Sequence, residues 1–495
     1  MKLRELLDGV PVVAVHGSTD VEISGVTPDS RLVRKGSLFV AIPGTQQDGA
    51  QYVPQAMEKG AAAVVIPRSA RNDIVVIEVD DARAAVALLA ANFYGRPADS
   101  LALVGVTGTS GKTTTTRMIE SVFDASGEPV GLIGTIEYRA GSERLVADRT
   151  TPDAVVLQQW FAKMRDAGVH NAVMEVSSHA LALKRTHGIR FAAAVFTNLS
   201  RDHFDFHRDF DDYFAAKRIL FDQIDRGRRS AIVNIDDEYG RRLAAELGDA
   251  VLTFGRAPEA DVRPAEDFEI SVDGLRGTVI TPAGSLRLES ILLGQPNLYN
   301  WLAAIGAAVT VGIPRATIEE GIRKLQSVRG RFERVPSAGG PTVIVDYAHK
   351  PDALEKLLRA VRDMAPGRRM VLLMGCGGDR DKGKRPEMGA IAGRLADYTV
   401  LTSDNPRSEK PESILDEIEA GMGDVPETKY ARIADRRQAI ASAIAEAAGD
   451  DVIVIAGKGH ETYQVVGDQV IHFDDREEAE SALKKRIDKL ASKVG

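Results

Sequence analysis

The sequence predicts an α/β protein of three domains, the second and third of them built on mostly parallel sheets. Three observations carry this expectation. At 495 residues the chain exceeds what a single hydrophobic core organises. Short apolar runs recur between helix-length segments through most of its length, as the strands of βαβ units do. Breaks fall at the polar Arg96-Pro97-Ala98-Asp99 and near Gly330, which divides the chain into 1–98, 99–330 and 331–495.

Each part has its own pattern. In 1–98 the runs at 36–42 (Gly-Ser-Leu-Phe-Val-Ala-Ile) and 61–66 (Ala-Ala-Ala-Val-Val-Ile) read as strands among helical patches, enough for one small α/β domain. From Leu101 an apolar run breaks into a Gly/Thr-rich turn and then a helix-forming segment. Further runs at 172–174, 192–196 and 231–233 extend the second part into a parallel sheet. Between 266 and 292, alternation around Asp273-Gly274 and Ala283-Gly284 predicts antiparallel hairpins, taken as an appendage of this central domain. Runs at 343–345, 371–374, 398–401 and 452–456 then predict a second doubly wound, Rossmann-like sheet.

Composition narrows the function. A hydrophobic fraction of 44% with 27% charged residues is ordinary for a globular protein, and a net charge of −8 offers no footprint for nucleic acid. Cys376 is the only cysteine, which excludes an intramolecular disulfide and any multi-cysteine zinc site and points to a reducing compartment. The opening Met-Lys-Leu-Arg-Glu-Leu-Leu-Asp carries charges where a signal peptide needs an apolar run, and no stretch approaches about 18 apolar residues. A cytoplasmic monomer with no membrane insertion is the expectation.

The turn after Leu101 carries the chemistry. It reads Gly105-Val106-Thr107-Gly108-Thr109-Ser110-Gly111-Lys112-Thr113-Thr114, ending in Gly-Lys-Thr but with valine at 106, where the G-x4-G-K-[ST] pattern requires glycine. Small residues there let successive N–H groups converge on phosphate oxygens, and the following helix adds its N-terminal dipole. Residues 107–114 are therefore the candidate ATP cradle of a P-loop-type domain, with Lys112 at the β/γ-phosphates and Thr113 on Mg²⁺. A plain Gly/Thr turn with a solvated lysine is the bland alternative.

The variant Thr-Gly-Thr-x-Gly-Lys-Thr resembles that of the Mur ligase family, to which folylpolyglutamate synthetases are related. Matching motifs recur at Asp29-Ser30-Arg31, Glu175-Val176-Ser177-Ser178-His179, 198–203 (Asn-Leu-Ser-Arg-Asp-His), Asp346-Tyr347-Ala348-His349 and 377–386, so the resemblance spans all three parts. It implies an ATP-dependent amide ligase acting through an acyl phosphate. It also implies that Thr113 and Glu175 hold a first Mg²⁺ and His203 a second. Lys217, in Tyr213-Phe214-Ala215-Ala216-Lys217, matches the family lysine carbamylated by CO₂, which then ligates the second ion. By the same resemblance Asn297, Asn300 and Arg331 contact adenine and ribose, and Asp346 and His349 close over the nucleotide. Pro296 and Lys350 depart from the family, which more often has an aromatic and a threonine there.

The resemblance implies two further partners. One is UDP-N-acetylmuramoyl-L-alanyl-D-glutamate, with Ser30 at the uridine and Thr150, Thr151, Ser177 and Arg185 at the muramoyl dipeptide. The other is meso-diaminopimelate, because Asp404-Asn405-Pro406-Arg407, Arg380, Gly457 and Glu461 resemble the members that add it. Arg407 offers a planar fork for the second carboxylate, with Arg380 as a further donor and Glu461 for the distal ammonium. The same reaction with L-lysine or another diamino acid, a P-loop ATPase of unrelated role and a non-catalytic nucleotide-binding protein are the competing classes. Individually, Glu175 could be a satisfied buried carboxylate, His203 a core or loop histidine, Lys217 a solvated side chain, Ser30 a cap, the two asparagines turn or helix-cap residues, and Arg407 half of a structural ion pair.

Overall fold

The computed structural model describes residues 1–44, 48–67, 75–224, 229–337, 339–423, 425–426 and 429–494. The chain forms two compact units, the first made of Met1–Arg263, Thr281–Gly284 and Asn300–Gly321. Its described residues hold two sheets. The smaller runs in the order Ala14–His16, Val75–Val79, Ala63–Pro67, Ser37–Val40, Gly25–Thr27, with the first pair antiparallel and the rest parallel. Leu38, Val40, Val65 and Ile77 on one face share a core with the helix Ala82–Phe93, which begins where the Asp81 carboxylate accepts a hydrogen bond from the Ala84 N–H.

The larger sheet positions the candidate site. Its order is Val251–Phe254, Ala231–Asn234, Ala193–Phe196, Ala102–Thr107, Asn171–Glu175, Val130–Ile133, all parallel, followed by the antiparallel Glu137–Ala140 and Glu143–Val146. Strands such as Ala193–Phe196 are buried at every position because helices cover both faces, so they read as unbroken apolar runs. The strand Ala102–Thr107 lies between Ala193–Phe196 and Asn171–Glu175, so the three loops that follow these strands open at one carboxyl edge.

The second unit comprises Pro264–Ile280, Ser285–Tyr299 and Ile322–Gly495. Its six-stranded sheet has the order Glu333–Arg334, Thr342–Asp346, Val452–Ala456, Met370–Met374, Tyr398–Leu401, Tyr430–Arg432, antiparallel only at the first pair. One face is covered by the helices Pro351–Met364, Lys384–Leu395 and Pro411–Glu419, the other by Arg436–Glu446 and the C-terminal helix, giving the doubly wound layering expected. The antiparallel strands Glu269–Ser271, Gly274–Ile280 and Leu286–Ser290 group with this compact unit. So small a sheet cannot bury its own face. Val272 and Leu293 pack with Phe332 and Ile344, and the Arg334 guanidinium donates to the Val272 carbonyl at 3.1 Å.

A fully buried ion pair ties this unit together beside its motifs. Arg436 donates to both oxygens of Asp475 at 2.7 and 2.8 Å, and also to the carbonyls of Ser403 and Ala456. Both side chains are 0% exposed. Asp475→Ala leaves the guanidinium buried with only carbonyl partners, so unfolding in denaturant is expected to show a loss of about 3–5 kcal/mol. Among the described residues no helix is long and apolar enough to cross a membrane.

Candidate active site

The loop at the carboxyl edge of the first unit's large sheet begins at Gly108, later than the failed sequence pattern suggests. Val106 is still in the strand, paired with Glu175 and Val195 and wholly buried, so a glycine there has no turn to serve. Gly108 takes that role: its φ is +149°, and a Cβ would fall 1.9 Å from the Thr197 hydroxyl. The loop is pinned across the sheet by Thr109 N–H to the Asn198 carbonyl at 2.9 Å and Ser110 N–H to the Asn198 side chain at 3.0 Å. Gly111, at φ +87°, opens the helix Lys112–Asp124, which aims its N-terminus at the loop.

Two ammonium groups converge on this loop. Lys112 Nζ donates to the carbonyls of Gly108 and Thr109 at 2.7 and 3.0 Å, and Lys217 Nζ donates to the same Gly108 carbonyl at 2.7 Å. Lys217, on the helix Phe210–Arg218, is 1% exposed, so it is no solvated helix lysine. Burial, and next the charge of Lys112, push its pKa well below the ordinary lysine value. Its ammonium lies 4.2 Å from the centroid of Tyr213, whose ring is 6.2 Å from that of His203. His203 sits at φ +56° with Nε2 3.4 Å from Asp202.

Glu175 gathers the opposite side. It ends its strand at 1% exposure. Its carboxylate accepts from the hydroxyls of Thr113 and Thr135, both at 3.0 Å, and from the Thr135 N–H at 2.7 Å. Thr135 and Thr150 hydroxyls lie 3.1 Å apart, Thr151 Oγ1 donates to the Glu175 carbonyl, and Ser177 N–H donates to Thr151 Oγ1. Arg185 closes the group by donating to the Thr151 carbonyl at 2.7 Å. Carboxylate and hydroxyl oxygens are the hard donors Mg²⁺ prefers, so Thr113 and Glu175 fit a first ion, with Thr135 a partner the sequence did not reveal. For a second ion the donor set of His203 and Lys217 fits only if the amine carries an anionic group.

Beside this, a cavity of about 160 Å³ is lined by Arg83, Arg149, Lys184 and Arg185, with Asp153 the acidic group among them. Burial first, and then the charge of Arg149, lower the Arg185 pKa. Such convergence of cations calls for an anionic ligand. Sequence reasoning had Arg185 here but missed Arg83 and Arg149. Ser30 is buried with its hydroxyl donating to Gln55 at 2.7 Å, and the neighbouring Arg31 pairs with Asp29.

The second unit assembles the remaining motifs. The Asp346 carboxylate accepts from Phe332 N–H and Ala348 N–H at 2.7 and 2.8 Å, and burial raises its pKa. Arg331 lies over the Tyr347 ring at 4.8 Å, and that ring sits 4.5 Å from His349 and 4.9 Å from His460. Arg331 Nε and His460 Nδ1 are buried and unpaired among the described residues, as polar atoms awaiting a ligand are. Burial, reinforced by Arg331, lowers the His460 pKa to about 4.

Asn297 and Asn300 both lie on the helix Gly294–Thr310. Asn297 donates to the Leu293 carbonyl, and Asn300 accepts from Thr115.

Asp404, Asn405, Pro406 and Arg407 follow the strand Tyr398–Leu401. Asn405 Nδ2 donates to Glu461 at 2.8 Å, and the fully buried Lys458 reaches both Asn405 and Glu461. Gly457 has φ +120°, and a Cβ there would stand 2.7 Å from Asp404 Oδ2. Arg407 Nη1 donates to the Gly378 carbonyl at 2.8 Å, while Arg380 reaches the Asp379 carbonyl at 3.4 Å. Among the described residues Arg407 is thus in no carboxylate ion pair, and its partners are the carbonyls of Gly378 and Asn405.

Comparison with known proteins gives a consistent result. Residues 106–308 match the Mur ligase middle domain, 330–459 the Mur ligase glutamate ligase domain, and 22–94 the Mur ligase family catalytic domain. The chain is 48% identical to the UDP-N-acetylmuramoyl-L-alanyl-D-glutamate--2,6-diaminopimelate ligase of Gloeobacter violaceus, over 98% of this chain and 99% of that one. The ligase of the same name from Geobacter metallireducens is 44% identical, again over 98% and 99%. A solved structure under that name superimposes with a TM-score of 0.73 at 31% identity, covering 98% of this chain and 99% of the other.

Proposed function

The chain belongs to the Mur ligase family, and from that premise we propose that it joins meso-2,6-diaminopimelate to UDP-N-acetylmuramoyl-L-alanyl-D-glutamate at the expense of ATP, a step in making peptidoglycan precursors. The observation that carries it is the convergence in the first unit of two ammonium groups on Gly108 and two threonine hydroxyls on Glu175.

The chemistry suits that arrangement. The D-glutamate γ-carboxylate attacks the γ-phosphorus of ATP, ADP leaves, and an acyl phosphate results. The amine of the incoming amino acid then attacks its carbonyl carbon, loses a proton, and expels inorganic phosphate as the amide forms. Both first reactants are anions, so the step needs charge neutralisation more than covalent help. Lys112 and the first-turn N–H groups of the helix Lys112–Asp124, behind the loop 107–111, hold the phosphates. Thr113 and Glu175 would hold one Mg²⁺, and His203 with a carbamate on Lys217 would hold another. Bound there, Mg²⁺ supplies further neutralisation of the phosphate oxygens.

The other roles follow the residues already placed. Thr150, Thr151, Ser177 and Arg185 take the muramoyl dipeptide, supported by the cationic cavity that Arg83 and Arg149 share, and Ser30 takes the uridine side. Asn297, Asn300, Arg331, Asp346 and His349 are assigned to the nucleotide by resemblance. Residues 1–98, 99–330 and 331–495 are taken as the nucleotide-sugar, ATP and amino-acid domains. A cytoplasmic location and a monomeric state belong to the same proposal, and the single, buried thiol of Cys376 agrees with a reducing compartment.

The test is an amino-acid panel with ATP and the nucleotide-sugar dipeptide, read by phosphate release and product mass. Phosphate is expected only when both the dipeptide substrate and an amino acid are present. Turnover of ATP alone overturns the ligase assignment, and efficient use of L-lysine overturns the choice of amino acid. Arg407 gives that choice a specific site. Lysine in place of diaminopimelate leaves its guanidinium desolvated and unmatched, a penalty of about 3–5 kcal/mol that corresponds to a preference of roughly a hundredfold or more. Arg407→Ala is expected to lose most of that preference, measured as the ratio of kcat/KM for the two amino acids.

A further inference from the structure

The antiparallel strands Tyr463–Val466 and Gln469–His472 form a hairpin that, among the described residues, joins no larger sheet. An isolated two-stranded hairpin is marginal in water, and every residue of the outer strand is exposed, Val470 at 69%. Its inner strand is tied to the loop that carries Arg407. Arg407 N–H donates to the Val465 carbonyl at 3.0 Å, and the Arg407 carbonyl accepts from Gly467 N–H at 2.7 Å. Val465 N–H donates to Asn405 Oδ1 at 3.0 Å, and the buried Gln464 donates to the Asp404 carbonyl at 2.7 Å.

The dependence runs both ways. Arg407 has φ +53°, a left-handed conformation that costs a residue with a Cβ, and the two backbone bonds to the hairpin hold it there. Asn405, whose amide meets Glu461, is oriented by the Val465 N–H. Tyr463 is 41% exposed, with the Lys458 ammonium 5.5 Å from its ring centroid, so an apolar face stands among charged groups. An aliphatic chain with charged ends is the ligand such a surface suits.

We propose that the hairpin 463–472 is the specificity element of the amino-acid site: it fixes Arg407 and Asn405 for the ends of a diamino acid and offers the Tyr463 ring as a wall for its methylene chain. This rests on the assignment of Arg407 to the substrate's second carboxylate. Two variants of the full chain test it. Val465→Pro removes the one N–H that leaves the hairpin for Asn405 and spares the cross-strand ladder. Tyr463→Ala removes the ring from an exposed position, where the fold has little at stake.

Steady-state kinetics with all three substrates is expected to show KM for meso-diaminopimelate raised about tenfold or more in each variant, with a smaller preference over L-lysine. KM for ATP and for the nucleotide sugar should stay within about twofold, a split that general loosening of the fold would not give. Wild-type KM for the amino acid in both variants, or a loss spread equally over all three substrates, overturns the proposal. If Val465→Pro folds poorly, Tyr463→Ala decides alone. If the wild type prefers a different amino acid, the substrate assignment fails by itself, and the same variants are read on KM for the amino acid that is used.

Discussion

Lys112→Ala is expected to lower the rate of ligation by about 10²–10³-fold while the protein stays folded. In the structure the Lys112 ammonium spans the loop onto the carbonyls of Gly108 and Thr109, so its charge sits where phosphate oxygens meet the N-terminus of the helix Lys112–Asp124. The terminal phosphoryl group gains charge on its bridging oxygen as ADP departs, and a fixed cation stabilises that state more than the ground state. The stability cost is limited, because a part-exposed lysine's charged hydrogen bonds to two carbonyls contribute about 1.5–3 kcal/mol each at most. Circular dichroism and thermal melting check the fold, and phosphate release checks the chemistry. Retention of more than about a tenth of wild-type activity contradicts the role given to Lys112.

The parts of this protein that were legible in its sequence are those whose physics is local or periodic. Strands such as Ala193–Phe196 and Val452–Ala456 are buried on both faces, and a doubly covered strand has to be an apolar run. The Gly-Lys-Thr at the strand-to-helix junction was legible because phosphate binding demands small residues and a helix start at that point. Val106 shows the limit of a pattern read without register. It looked like a defect in the loop and is a wholly buried strand residue, with the tight turn at Gly108 set by Thr197 from the neighbouring strand.

What escaped the sequence depends on contacts between distant segments. Thr135 follows a four-residue strand in no recognisable motif, yet its hydroxyl and N–H both reach Glu175. Arg83 and Arg149 are separated by many residues and meet only around the cavity they line. The strands 269–290 carried the right hairpin signals but no sign of which core would cover them, since that is decided by Val272 and Leu293 meeting Phe332. Arg407 and Asn405 were legible as a motif, whereas the hairpin that holds them was not, because its grip is through backbone groups that every sequence possesses.

Lys217 gives the other large effect, and helix periodicity alone argues against it by reading a solvated lysine. The structure buries it instead, with Nζ on the Gly108 carbonyl that Lys112 also uses. Two cations on one oxygen repel, and a desolvated ammonium is costly, so both effects shift Lys217 toward the neutral amine. A neutral amine is the form that adds CO₂: its lone pair forms the N–C bond, a proton leaves, and a carboxylate-like anion replaces the cation. That exchange relieves the repulsion from Lys112 and supplies the oxygen donor that His203 lacks for a second Mg²⁺. Lys217→Ala is therefore expected to cut ligation by about 10²-fold or more, comparable to loss of a preorganised charge at the phosphates. The truncation leaves a small cavity at the same place. Formate or acetate is expected to restore part of the activity, because either can occupy the space and return the missing oxygens, while chloride at equal ionic strength should not. A second readout is independent of turnover: wild-type protein equilibrated with ¹³C-labelled bicarbonate should show a carbamate carbon resonance that Lys217→Ala lacks. Wild-type activity in the alanine variant, or loss of activity without the resonance in the wild type, would remove the carbamate from the mechanism and leave Lys217 as a buried positioning group of the phosphate loop.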